Sequence, residues 1–106
     1  MRETGRSGYK RKFMDELEKR YPGCVLLHTD TRQLQGIPDL LMLWNDIWAA
    51  FEVKASADAD RQPNQPWYVE RWNEMSFAAF VYPEIEEQVL DELQQTLQSR
   101  WQARLP

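Results

Sequence analysis

The chain has 106 residues, 42% of them hydrophobic, with five Trp, four Tyr and four Phe; this suffices for one hydrophobic core and is too little for two domains. The single cysteine, Cys24, excludes an internal disulfide and a cysteine-rich zinc site, and no apolar run has the length of a membrane span or a signal-peptide core, so a reducing, cytoplasmic setting without membrane attachment is expected. A net charge of −4 argues against a nonspecific coat on nucleic acid, yet seven basic residues against four acidic ones make residues 1–20 positive and leave the remainder acidic.

Residues 1–7 are polar and expected to be flexible. Tyr9, Phe13 and Leu17, with Met14 and Tyr21, form an apolar stripe at helical spacing over 8–20, and Pro22-Gly23 ends it. Cys24 to Thr29 predicts a strand, with Cys24 as a small buried residue, and a polar loop from Asp30 to Gly36 follows. Asp39 to Trp44 and Ile47 to Lys54 are near-continuous apolar runs, the pattern of strands covered on both faces. After a polar loop from Ala55 to Pro63, Asn64 can cap a second helix that tolerates Pro66 in its first turn and carries Trp67, Tyr68, Val69, Trp72 and Met75. Phe77 to Tyr82 predicts a fourth strand. A carboxy-terminal helix and tail occupy 84–106, with Ile85, Val89, Leu90, Leu93, Leu97 and Trp101 on its apolar face. The result is a single α/β domain of order α-β-β-β-α-β-α. The first three strands can meander antiparallel, and the helix after the third makes a right-handed crossover to the fourth.

Within that frame Asp39, Glu52 and Lys54 stand out. Glu52 and Lys54 are two apart in a strand and share a face. With Asn45-Asp46 as a two-residue hairpin turn, Asp39 falls directly opposite Glu52. Two facing carboxylates repel unless something neutralises them, and a divalent cation that prefers oxygen ligands, such as magnesium, does so.

Pro38-Asp39 followed by Glu52-Val53-Lys54, in this element order, resembles the signature of the PD-(D/E)XK nuclease superfamily. Gln65, eleven residues after Lys54 at the start of the second helix, makes the chain most similar to the small phage-type, VRR-NUC-like nucleases; the resemblance covers about residues 8–95. It implies a mixed four-stranded sheet flanked by helices and magnesium- or manganese-dependent endonucleolytic hydrolysis of DNA. It further implies a homodimer acting on branched DNA such as Holliday junctions, and a phage or prophage origin. Carried onto this chain, Asp39 and Glu52 hold the metal with the Val53 backbone carbonyl. Lys54 orients the attacking water or stabilises the phosphate charge, and Gln65 positions Lys54 or the water. Relatives supply a further acid from the first helix, for which Glu16, Glu3 and, less well, Glu18 are the candidates.

Arg6, Lys10, Arg11, Lys12 and Arg61 are the candidate DNA contacts. His28, the lone histidine, ends the first strand as either an acid–base group or a plain strand-end residue. Asp30 and Gln35 either touch DNA or shape their loop. Trp67, Tyr68 and Trp72 are expected in a core or subunit interface rather than stacked on bases. An inactive DNA- or protein-binding module of the same fold, or a small acidic inhibitor, are the competing readings. Retention of Asp39, Glu52 and Lys54 together weighs against both.

Overall fold

Phe13 and Leu17 recur one helical turn apart on helix α1 (Gly5–Arg20) and are fully buried, with Tyr21 just past the helix end also buried. The computed structural model describes residues 5–30, 32–103 and 105. The helix stops where Gly23 adopts φ +86°, and Lys19 and Arg20 in its last turn complement the helix dipole. Strands β1 (Val25–His28), β2 (Leu40–Trp44) and β3 (Ile47–Val53) form an antiparallel meander; helix α2 (Gln65–Met75) then crosses to β4 (Ala78–Val81), which pairs parallel to β3. The sheet order is β1-β2-β3-β4. A 3-10 turn over Pro83–Ile85 leads into helix α3 (Glu86–Ala103). The domain is therefore α/β with a mixed four-stranded sheet flanked by helices, in the order expected.

Helices α1 and α3 cover one face of the sheet. There Phe13 and Leu17 meet Leu40, Met42, Phe51, Val53 and Val81, and α3 adds Val89, Leu90, Leu93 and Leu97. Phe13 packs edge-on against Phe51 at 5.0 Å. Helix α2 covers the other face only over β3 and β4, where Val69 meets Ala50 and Ala78, with Trp48, Trp72 and Phe80 around them. The alternation of side chains puts Glu52 on this α2 face with Trp48 and Ala50.

Several local expectations need correction. Helix α1 begins at Gly5, so residues 5–7 are helical; Arg6 and Lys10 are tied to Asp39 by hydrogen bonds, a restraint invisible to apolar periodicity. Strand β2 is not covered on both faces: Leu43 is 37% exposed, and Val25 and Leu27 of β1 are 49% and 44% exposed, because a single short helix cannot reach across four strands. Cys24 is only half-buried, beside the α1 carbonyl of Leu17. Asn64 is the N-cap residue of α2, but its side chain makes no capping bond and its backbone is already helical. Of the three aromatics expected in a core or a subunit interface, Trp67 is 61% exposed, which removes only the core alternative for it, while Tyr68 and Trp72 are half-buried in an aromatic row with Trp48. Glu84 lies in the 3-10 turn ahead of α3.

Candidate active site

The β2–β3 pairing runs Leu40 with Phe51 through Trp44 with Ile47, the register set by a turn at Asn45-Asp46. Asn45 supplies the left-handed backbone of that turn at φ 55°, a conformation asparagine tolerates. Continued by one residue, this register places Asp39 beside the end of β3, where its Oδ1 accepts a hydrogen bond from the Val53 N–H at 3.0 Å. The backbone leading to Asp39 is pinned from both sides. Thr29 Oγ1 donates to the Pro38 carbonyl at 2.7 Å, and the Thr29 N–H donates to the Asp39 carbonyl at 3.2 Å. Gly36, at φ +97°, lies so close to α2 that a Cβ there would stand 2.6 Å from the Asn64 Cβ. The approach joins the loop that carries Asp39 to the turn that carries Gln65.

Asp39, Glu52, Lys54 and Gln65 are all buried. The Lys54 ammonium donates to Gln65 Oε1 and to the Asp60 carbonyl, each at 2.9 Å, and lies 3.6 Å from Glu52 Oε2. Gln65 Oε1 also accepts from the Gln62 N–H at 2.9 Å, so the glutamine fixes the lysine and the loop together. Lys54 thus does not end its strand in water; three oxygens hold it inside the site. Glu52 is the exception to this order: its Oε1 is buried and has no hydrogen-bond partner among the described residues. Burial pushes the Glu52 carboxyl above its ordinary range, only partly offset by Lys54, Arg6 and Lys10.

The cations around Asp39 come from α1. Arg6 and Lys10, one helical turn apart, both donate to Asp39 Oδ2, Lys10 at 3.1 Å, and Lys10 also reaches the Asp39 carbonyl at 3.3 Å. Arg6 Nε donates to the Val53 carbonyl at 3.0 Å. Burial, then the neighbouring Arg6, lowers the Lys10 ammonium to about 8.

This donor set fits a divalent cation. Glu52 Oε1 is an orphaned buried oxygen, while Asp39 Oδ2 and the Val53 carbonyl both already face a cation, the Arg6 guanidinium. Hard oxygens of this kind suit magnesium or manganese. Among the described residues no group of three or more His, Cys, Asp or Glu converges, so two carboxylates and a carbonyl are what these residues offer. Glu16 accepts a hydrogen bond from Arg20 at 2.8 Å on the surface of α1, and Glu18 is exposed. Glu3 lies outside the described residues.

No protein-family model and no curated protein matches this sequence. Among solved structures, a "VRR_NUC domain" matches with a TM-score of 0.63 over 84% of this chain and 97% of that one, at 21% sequence identity. The chain has the VRR_NUC fold.

In this fold the remaining basic residues take distinct places. Arg11 lines a cleft with Arg6, Lys10 and His28, and Lys12 is exposed on α1. Arg61 lies over the Phe80 ring at 3.9 Å, and Phe80 pairs with Glu52 across β3 and β4, so this arginine sits over the strand next to the one that carries Glu52. Asp30 is engaged by Arg32 at 2.9 Å, and Gln35 lies beside Gln62 and Asn64. Sequence reasoning missed that Arg6 and Lys10 serve Asp39 directly and that Phe80 carries Arg61. The one available signal was the four-residue spacing of Arg6 and Lys10 in a helix whose first turns lie at the site.

Proposed function

We propose that this chain is a divalent-metal-dependent endonuclease that hydrolyses DNA phosphodiester bonds. The observation that carries the reading is the unpartnered, buried Glu52 oxygen, set beside Asp39 and the Val53 carbonyl and next to a lysine that three oxygens hold in place. A buried charge without a partner is costly unless a ligand completes it.

Asp39, Glu52 and the Val53 carbonyl would hold the metal. When bound, a magnesium or manganese ion supplies Lewis acidity and lowers the pKa of coordinated water. The protein's own groups do the rest. Lys54, fixed by Gln65 and the Asp60 carbonyl, presents a positive charge beside the carboxylates. There it orients the attacking water and stabilises negative charge developing on the phosphate. Gln65 Oε1 shares the ammonium with Glu52 Oε2 and so fixes its place beside the carboxylate. Arg61, braced on Phe80, flanks the site, and Arg6, Lys10, Arg11 and Lys12 line the positive α1 side. Backbone phosphates are the ligand such a surface selects.

The reading extends to branched DNA cut by a symmetric pair of chains. Val25, Leu27 and Leu43 are exposed on the part of the sheet that α2 leaves bare, next to the strands that carry the site, and a second copy on that face would present two sites to opposing strands. The test is cleavage of a labelled four-way junction, a linear duplex, single-stranded DNA and RNA in magnesium, manganese and chelator, with the mass in solution measured alongside. Metal-dependent cutting of DNA, strongest on the junction by a dimeric species, is expected. Folded protein that cuts none of these would refute the nuclease reading, and an active monomer would remove the pairing.

A further inference from the structure

Arg6 occupies a place the reaction does not account for. Its guanidinium bonds Asp39 Oδ2 and the Val53 carbonyl, two of the three oxygens assigned above to a divalent cation. A guanidinium and a divalent ion drawn to the same oxygens repel each other, so the two cations compete for them. Lys10 also reaches Asp39 but is buried, with 11% of its side chain exposed, whereas the Arg6 side chain is 50% exposed and has a path to solvent. Arg6 sits in the first turn of α1, one residue after Gly5, which takes φ +67° and where a Cβ would meet nothing within 4 Å among the described residues. The charge balance points the same way. Among the described residues, Arg6, Lys10 and Lys54 stand against two carboxylates, so a divalent ion would leave a surplus that only the departure of a cation or the arrival of an anion relieves.

We propose that Arg6 is an exchangeable cation: it neutralises Asp39 and caps the Val53 carbonyl in the metal-free protein, and metal loading displaces it toward the substrate phosphate. The inference rests on the metal-nuclease reading and adds a coupling to it. A guanidinium released beside Arg11 and His28 presents the forked donor geometry that matches a phosphate. Arg6 therefore contributes to DNA binding only after metal has entered, and until then it screens Asp39 and Glu52 from each other.

Three measurements on the full chain decide it. Manganese titrated calorimetrically into wild type, Arg6→Ala and Arg6→Gln should bind the variants about five- to tenfold more tightly, the scale of one charge-assisted contact at a half-exposed arginine. Asp39→Asn should abolish binding. In magnesium, the Arg6 Nε–H resonance should move to a solvent-exposed position at saturation. Duplex affinity, read by fluorescence anisotropy with calcium, should fall several-fold in Arg6→Ala, while in chelator variant and wild type should bind alike. Equal metal affinity in wild type and both Arg6 variants, with binding lost in Asp39→Asn, would overturn the exchange and leave the nuclease reading standing. So would an unmoved resonance, or an equal loss of DNA affinity with and without metal. Folded wild type and Arg6→Ala that both bind no metal would refute the nuclease reading, and the exchange with it.

Discussion

Replacing Glu52 by Gln should stabilise the metal-free protein at neutral pH while weakening its hold on metal. The Glu52 side chain is 4% exposed and its Oε1 has no partner among the described residues. A buried polar atom left unpaired costs about 1–3 kcal/mol, and more when it carries charge. Lys54 at 3.6 Å offsets part of that cost, with smaller contributions from Arg6 and Lys10. The amide keeps the shape and an oxygen for Lys54, and removes the charge. The balance is a gain of about 1 kcal/mol, or roughly 4 °C in Tm for a domain of this size. The pH dependence carries the reasoning. Burial raises the folded-state pKa of Glu52 above its ordinary 4.5, so the folded chain holds this proton more tightly than the unfolded chain. That contribution to stability is present below 4.5 and is lost as pH rises from 4.5 through the raised value. The advantage of Gln should accordingly vanish near about pH 4 and be complete above the window. Thermal unfolding followed by circular dichroism in chelator, from acid to neutral pH, measures it. A Gln variant less stable than wild type at neutral pH, or a gain of equal size in acid, would refute the argument.

Lys10 should titrate in the folded protein with a midpoint near 8, because burial and Arg6 disfavour its charge; NMR of its side-chain carbons reads this directly, and a midpoint at the ordinary 10.5 would contradict it. The sign for stability follows: the unfolded chain holds the Lys10 proton more tightly, so the Lys10 contribution to stability rises with pH between about 8 and 10.5. Gly36→Ala should destabilise the domain by about 2 kcal/mol or more, since the residue needs φ +97° and a Cβ would meet Asn64 at 2.6 Å; denaturant unfolding tests it, and a neutral effect would mean the Gly36–Asn64 approach yields freely. Arg61→Ala should weaken DNA binding several-fold and reduce the slope of log affinity against log salt by about 1, whereas an unchanged slope would remove Arg61 from the phosphate contacts.

Most of the fold was legible because its elements announce themselves locally. Phe13, Leu17 and Tyr21 mark α1, the apolar runs on either side of Asn45-Asp46 mark the hairpin, and that turn alone sets the register that brings Asp39 to the end of β3. The placement of Gln65 against Lys54 was also anticipated, but from family resemblance rather than from spacing. What escaped depended on long-range contacts. The early start of α1 is held by Arg6 and Lys10 reaching Asp39, side chains that read as surface charge in isolation. The bare face of β1 and β2 reflects how few strands α2 can cover, which no strand's own sequence records. The missing Asn64 cap follows from a backbone already helical at a residue pressed against Gly36.

Lys54, held by Gln65 beside Asp39 and Glu52, is the residue on which the proposed metal-dependent phosphodiester hydrolysis turns. Single-turnover cleavage of labelled DNA by wild type and Lys54→Ala, in magnesium and in chelator, tests it most directly. Wild type should cut only with metal, and the variant should retain its fold and DNA affinity while losing about a hundredfold or more in rate. A folded Lys54→Ala protein that cuts at the wild-type rate, or wild-type cutting that persists in chelator, would contradict it.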